Sequence, residues 1–123
     1  MKNRRIFAAL LAVVMLFAAL AGCAAKPGKT ITVEVTHSDG TTKEFTIKTD
    51  EQYLRGALDQ EKLIAGTDSE YGLYVLTVDG ETVNEENQEW WGYTKSGEYV
   101  DVGVDSCEIA DGDHYEFTFN VGW

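Results

Sequence analysis

The chain has 123 residues, and its 10 Lys and Arg against 21 Asp and Glu give a net charge of −11 at pH 7. A surface this acidic repels nucleic acid and anionic lipid headgroups, which excludes both as partners held by charge. The length and a hydrophobic content of 44% allow one small domain with a modest core, and no more.

The first 22 residues have the pattern of an export signal. Basic residues precede an uninterrupted apolar run from Ile6 to Leu20, which falls short of the roughly 20 apolar residues that a spanning helix needs. The following Leu20-Ala21-Gly22-Cys23 resembles the lipobox of bacterial lipoproteins, in which the cysteine is acylated and becomes the new N-terminus. We therefore expect residues 1–22 to be a lipoprotein signal peptide, and Cys23 to anchor the protein on the extracytoplasmic face of the cell membrane.

Cleavage would leave a strongly acidic mature chain close to the bilayer. Three of the ten basic residues depart with the signal, so seven remain against 21 acidic residues, a net charge of −14. The lipid must then hold the protein to the membrane. Residues 23–29 comprise the lipidated cysteine and a short linker that reaches at most about 20 Å, which suits a membrane-embedded partner such as a transporter. Cys107 is left without a disulfide partner and is interpreted as a small apolar residue.

Alternating polar and apolar residues predict the first elements of the folded region. Thr30–Thr36 alternates as a half-buried strand, Asp39-Gly40 supplies a turn, and Lys43–Lys48 returns to complete a hairpin. Thr49 and Gln52 fit a capping box for a helix from about Asp50 to Glu61. The apolar side of that helix carries Tyr53, Leu54, Ala57 and Leu58.

Glycines punctuate the middle of the chain. Gly66 and Gly72 bracket a predicted loop that leads into the apolar strand Leu73–Val78. That strand shows little polar alternation, which is typical of a central position in a sheet. Asp79-Gly80 then turns the chain into a polar stretch that ends at Gln88.

The stretch from Glu89 to Asp105 holds two of the three tryptophans and is predicted to be a second hairpin. Ser96-Gly97 suits a two-residue turn, which sets Lys95 opposite Glu98. One face then packs on the core and pairs Tyr93 with Val100 and Trp91 with Val102. The other face is mixed and carries Trp90, Thr94 and Tyr99, with the Trp90 ring set against Gly103.

After an Asp111-Gly112 turn, the strand His114–Val121 closes the chain with alternating aromatic residues. The order of elements is strand, strand, helix and then several strands. One helix against one mixed sheet is the economical way to bury these faces, so the sequence predicts an α+β, β-grasp-like domain over residues 30–123.

A set of short motifs then carries a family resemblance: Trp90-Trp91-Gly92-Tyr93, Ser96-Gly97-Glu98-Tyr99, Gly103-Val104-Asp105 and Asp111-Gly112-Asp113. In this order they resemble the C-terminal β-domain of transcobalamin and intrinsic factor, and more closely the stand-alone bacterial lipoproteins of unknown function built from it. The resemblance implies a Gram-positive host. In the vertebrate proteins this domain forms a lid on cobalamin while an α/α barrel supplies the other half of the site. This chain has one predicted helix and no such barrel.

The resemblance implies contact with a corrinoid, and the residues offer a surface suited to it. A flat, amide-fringed disc fits an aromatic platform with hydrogen-bonding groups around it. Trp90 matches the family's tryptophan at the start of the hairpin, with Thr94 and Tyr99 on the same face and Tyr93 at its margin. Contact with a partner protein at the same face is the alternative. We expect no cofactor other than such a bound ligand.

Catalysis and bare metal binding find little support in the sequence. His37 and His114 flank turns and are predicted to be solvated, because neither has a second ligand at suitable spacing. The carboxylates form no calcium loop, and there is no nucleophile elbow or phosphate-binding glycine loop. We therefore expect a non-enzymatic module with no metal site of its own.

Overall fold

A computed structural model of the protein describes residues 28–123. The predicted signal peptide and lipidated Cys23 lie outside the described residues. Among residues 28–123, no helix is long and apolar enough to cross a membrane. The regular elements are β1 (Lys29–Thr36), β2 (Thr42–Thr49), α1 (Leu54–Gln60), β3 (Ile64–Ser69), β4 (Gly72–Val78), β5 (Glu81–Thr82), a 3-10 turn (Glu85–Asn87), β6 (Glu89–Lys95), β7 (Glu98–Tyr99) and β8 (His114–Val121).

The strands form two sheets. The larger has the order β2-β1-β8-β6-β7, in which β1 and β8 run parallel and every other neighbouring pair is antiparallel. The smaller is the antiparallel sheet β3-β4-β5. The predicted α+β class, with one helix and a mixed sheet, is confirmed for the described residues, but the expectation of a single sheet is wrong.

The core lies on one face of the larger sheet. Ile31, Val33 and Val35 of β1 alternate inward with Tyr115 and Phe117 of β8, and all five are almost completely buried. The helix covers this face with Leu54, Ala57 and Leu58, as its predicted apolar side required. The buried apolar residues of the described chain run from Ile31 to Phe117, so this segment carries its own core.

The first hairpin forms as predicted, whereas the helix begins later than the capping box indicated. The Thr49 hydroxyl accepts from the Glu51 amide at 3.0 Å and donates to Gln60 at 2.9 Å, so it caps no helix. Instead the amide of Leu54 donates to the Cys107 carbonyl at 2.8 Å, and that of Arg55 to the Val104 carbonyl at 3.0 Å. A distant loop therefore satisfies the first amides of α1, which leaves Tyr53 outside the helix and 39% exposed.

The prediction of a loop between Gly66 and Gly72 is wrong, because strand β3 occupies most of this segment. β3 pairs with β4, and the register shifts by one residue at a bulge between Ala65 and Gly66. A Cβ at Gly66 would lie 1.9 Å from the Tyr74 carbonyl oxygen, so only glycine fits this bulge. β4 does take a central position, in the smaller sheet.

The prediction of the second hairpin is correct at the turn and wrong for the residues beyond it. Lys95 faces Glu98 across the turn, and Ser96 and Gly97 have φ of 49° and 85°, as a type I′ turn demands. The predicted pairs of Tyr93 with Val100 and Trp91 with Val102 do not form, because β7 ends at Tyr99. Tyr93 and Trp91 pair instead with Phe117 and Phe119 of β8. After Tyr99 the chain leaves the sheet, and further along it the carbonyls of Val104 and Cys107 accept from the first amides of α1.

Candidate ligand-binding surface

The face of the larger sheet opposite the core carries three of the four predicted ligand-contact residues. Alternation along β6 places Trp90, Gly92 and Thr94 on this side, next to Asn120, Thr118 and Glu116 of β8. Tyr99 of β7 lies beside Thr94. No element among residues 28–123 packs over these side chains, all of which remain partly or fully exposed. We call this surface the open face.

Trp90 forms the flat part of the open face. Its ring leans along its own strand, so that its Cζ3 lies 3.0 Å from where a Cβ would stand on Gly92. The indole N–H donates to the Gly122 carbonyl at 2.9 Å. The predicted contact with Gly103 is wrong, because β7 stops before that residue could lie beside β6. Trp90 is half-buried and its ring is fixed at both ends.

Thr94 and Tyr99 form the other end of the open face, at the hairpin tip. The Thr94 hydroxyl donates to Glu116 Oε1 at 3.0 Å, and the Gly97 amide donates to the same oxygen at 2.6 Å. The second carboxylate oxygen, Oε2, is buried and accepts no hydrogen bond from any described residue. The Tyr99 side chain is 78% exposed, so it is free to contact a ligand.

Tyr93 lies on the core side of the sheet, beneath the hairpin tip. Its ring stacks on Phe117 with centroids 5.4 Å apart and planes inclined by 16°. Its hydroxyl donates to the Val102 carbonyl, and burial raises the pKa of this phenol well above its usual value. Tyr93 therefore fastens the chain after β7, from the side of the sheet opposite the open face.

Two grooves flank the segment Val100–Val102 that Tyr93 holds. The larger, of about 590 Å³, is lined by Tyr53, Val100, Val102, Cys107 and four polar residues. The smaller, of about 340 Å³, includes Tyr99 in its wall. Tyr99 therefore belongs both to the open face and to a groove, and the two surfaces meet at the hairpin tip. The sequence did not predict Tyr53 or Cys107 here, since both arrive through tertiary docking of the loop on α1.

Cys107 is free and buried, as its apolar interpretation required. Its thiol lies 3.8 Å from the Tyr115 hydroxyl, which in turn donates to Asp113 at 2.8 Å. Burial and the bond to Asp113 raise the pKa of that phenol strongly. This chain of contacts anchors the loop and leaves the thiol at the floor of the larger groove.

His37 is not solvated, so that prediction is wrong. Its side chain is 14% exposed, with Nε2 at 2.8 Å from Asp79 Oδ2 and Nδ1 at 2.8 Å from Glu81 Oε1. The hydrogen bond with Asp79, followed by that with Glu81, raises the pKa of His37. The two ring nitrogens face separate carboxylates and do not converge on one point. His114 is 36% exposed, and residues 28–123 contain no group of three or more side chains arranged to hold a metal ion.

The fold of this domain is similar to that of part of haptocorrin, a protein of the transcobalamin family. Haptocorrin in complex with Cbi matches it with a TM-score of 0.58 and 15% identity over 77% of this chain and 25% of that one. Residues 49–120 match the domain of unknown function DUF4430, and the chain belongs to that family. The resemblance inferred from the motifs is confirmed at the level of the fold.

A second solved structure is nearer in sequence. It comes from Ruminococcus gnavus ATCC 29149 and is described as a candidate metal-binding protein. It is 43% identical over 77% of this chain and 99% of that chain, with a TM-score of 0.75. No curated protein matches this chain.

Proposed function

We propose that the protein is a lipid-anchored, extracytoplasmic binding module that presents its open face to a corrinoid-type ligand for uptake. The observation that carries the proposal is the fixed, half-exposed Trp90 ring in line with the freely exposed Tyr99 on one uncovered sheet face. The proposal includes no catalytic role. We also assign the domain to the β-grasp type, since α1 packs across a mixed sheet.

The chemistry of the open face suits a flat ligand with polar edges. Thr94 lies four residue steps along the strand from Trp90, a span of about 13 Å. Thr118 and Asn120 flank that span on β8 and carry groups that can bond to amides. The Glu116 carboxylate beside Thr94, whose Oε2 lies 3.6 Å from His114 Nε2, gives this end of the face acidic character, which favours a neutral or cationic ligand over an anionic one.

A single open face encloses little of a ligand, so a second surface must complete the site. The likeness to haptocorrin spans a quarter of that protein, in keeping with a half-site. The expected lipid on Cys23 and the short linker would hold this half-site beside a membrane transporter or surface protein. The Ruminococcus gnavus protein is described as metal-binding. In this chain, the residues that the structure describes contain no group of three side chains that could hold a metal ion.

The alternative is a module that binds a partner protein and no small molecule. Three exposed tyrosines favour it: Tyr53 and Tyr99 line the grooves at the hairpin end, and the backbone of Tyr71 approaches Gly103 of the adjoining loop. Tyrosine is enriched in protein interfaces because it offers a large contact area with one polar group.

Equilibrium dialysis of the soluble fragment 24–123 against cobalamin and cobinamide distinguishes the corrinoid-binding function from the protein-binding alternative. We expect the fragment to retain a corrinoid, and Trp90→Ala and Tyr99→Ala each to weaken retention at least tenfold. Tyr71→Ala is the matched control: Tyr71 is 85% exposed but lies in the β3–β4 turn, so it should bind as wild type.

Two results would count against the proposal. No retention by the wild type at near-millimolar concentration removes the corrinoid and leaves the protein partner in front. Wild-type retention by Trp90→Ala and Tyr99→Ala, with unchanged melting temperatures, removes the open face as the site.

A further inference from the structure

Strand β2 forms a free edge of the larger sheet. Within residues 28–123 it pairs only with β1, in an unbroken register over eight residues without a bulge or proline. Long, regular edge strands of this kind are ready to pair with another strand. No strand among residues 28–123 extends the sheet beyond β2, so this edge can accept a strand of another chain.

The direction of the backbone groups on β2 follows from the hairpin. The His37 amide donates to the Thr41 carbonyl, so these two residues are a hydrogen-bonded pair of the antiparallel ladder. Such pairs alternate along the strands, so every second residue from Lys43 to Thr49 directs its amide and carbonyl toward β1. The amides and carbonyls of Thr42, Glu44, Thr46 and Lys48 therefore point outward. The Lys48 carbonyl confirms this direction, because it accepts from the Gln60 side chain at 2.9 Å on the outer side.

Charges on β2 are unbalanced within one copy. Glu44 lies directly opposite Glu34, and Glu34 lies beside Glu116 on β8, so three carboxylates form a row on this side of the sheet. His114 Nε2 lies 3.4 Å from Glu34 and 3.6 Å from Glu116, so Glu44 at the end of the row has no cation beside it among the described residues. Like charges in such positions repel. Neither Glu44 nor Lys48 forms an ion pair with another residue of the described chain, so both are available to a partner.

We propose that β2 pairs antiparallel with β2 of a second copy of this chain, with Thr46 facing the partner's Thr46. In this register Glu44 faces the partner's Lys48, and Lys48 faces the partner's Glu44, so two opposite-charge pairs form. The outward backbone groups of these residues meet as hydrogen-bonded pairs. The two sheets then join into one continuous sheet of ten strands.

Neighbouring registers lack this complementarity. Shifting by two residues in one direction sets Glu44 against the partner's Thr46, and in the other direction against the partner's Asp50, which repels it. Only the central register neutralises the end of the acidic row. The Lys48 carbonyl can accept the partner's amide in addition to Gln60, because a carbonyl oxygen has two lone pairs.

The core side of the edge also has room for the second copy. A groove of about 460 Å³ runs beside β2 and is lined by Phe45, Ile47, Leu63 and neighbouring polar residues. The proposed register sets Phe45, which is only partly buried, opposite the partner's Ile47. Ile47 is already buried within each copy, so Phe45 is the apolar side chain that pairing would cover. Lys43 does not interfere, since its ammonium is held 3.2 Å from Asp79 on the same side.

The test is sedimentation velocity on the fragment 24–123 from 10 μM to 1 mM, with a charge-reversal cycle on β2. We expect a reversible dimer whose dissociation constant rises at least tenfold in Glu44→Lys and in Lys48→Glu, since each variant sets like charges face to face. The double variant E44K/K48E should restore the wild-type constant to within about threefold. Salt should weaken the wild-type dimer.

A third variant separates pairing from folding. Thr46→Pro removes only an outward amide, which an edge strand tolerates, so we expect a monomer with a melting temperature near that of the wild type. A wild type that stays monomeric at 1 mM overturns the proposal. Two other results also overturn it: a dissociation constant that is unchanged in the single charge-reversal variants, or one that stays raised in the double variant. In either case the two copies do not meet through Glu44 and Lys48.

Discussion

The ion-paired His37 predicts how stability depends on pH. It joins the turn of the first hairpin to the β4–β5 turn through Asp79 and Glu81, and its ring packs edge-on against Trp91 with centroids 6.0 Å apart. The raised pKa means that the folded state holds the His37 proton more tightly than the unfolded chain. Its stabilisation is complete below about pH 6.5 and is lost as the pH rises through the folded pKa.

The two carboxylates set the acid side of the same profile. Burial raises the pKa of Asp79, but bonds from His37 and Lys43 outweigh burial and lower it overall. Bonds from Ser38 lower the pKa of Glu81. Their stabilisation is present above their unfolded pKa values, near 4, and is lost as the pH falls through the lower folded values. Stability from this cluster is therefore greatest between about pH 4.5 and 6.5.

The substitution His37→Gln measures the size of this effect. A hydrogen bond to a charged group contributes about 1.5–3 kcal/mol, and His37 makes two. The side chains of Asp79 and Glu81 are 20% and 27% exposed and keep other partners, so we take about 2–3 kcal/mol in total at pH 6. For a domain of this size the melting temperature should fall by roughly 10–20 °C.

Urea unfolding from pH 5 to 9 checks the prediction. The wild type should lose stability above pH 6.5, whereas His37→Gln should be nearly flat there, so that the two curves converge by pH 9. The wild-type slope in this range is assigned to His37 because its two carboxylate partners raise its pKa. If His37→Gln retains that slope, the account of the cluster is refuted.

Three further substitutions test the packing of the fold. Gly66→Ala should destabilise by about 3 kcal/mol or more, because its Cβ would lie 1.9 Å from the rigid Tyr74 carbonyl; thermal unfolding measures this. Gly56→Ala, whose Cβ would meet only a flexible glutamate side chain, should instead stabilise α1 by up to about 1 kcal/mol. Tyr93→Phe removes the bond to the Val102 carbonyl, should cost about 1 kcal/mol, and should raise amide exchange after β7; unchanged exchange would contradict the anchoring role.

Local signals predicted those parts of the fold that depend on adjacent residues. The turns at Asp39-Gly40 and Ser96-Gly97 form where glycine allows a left-handed conformation. The alternation of β1 and β8 shows in the residues that are buried. The open face could likewise be inferred, because period-two alternation alone assigns Trp90 and Thr94 to one side.

Features that depend on distant residues could not be predicted in this way. The start of α1 depends on carbonyls about 50 residues further along the chain, so the capping box predicted at the nearby Thr49 does not form. Strand β3 is mostly polar and exposed, and its glycine bulge has the local pattern of a loop. His37 finds its carboxylates only because two sheets meet, and no spacing in the sequence reports that contact.

The central claim is that the uncovered side of the larger sheet binds the ligand. Titrating cobinamide into the ¹⁵N-labelled fragment 24–123 and following amide chemical shifts tests it most directly. The account predicts shifts concentrated at Gly92, Thr94, Tyr99 and Thr118, with β3 and β4 unchanged. Shifts confined to β3 and β4, or no shifts at near-millimolar ligand, would contradict it.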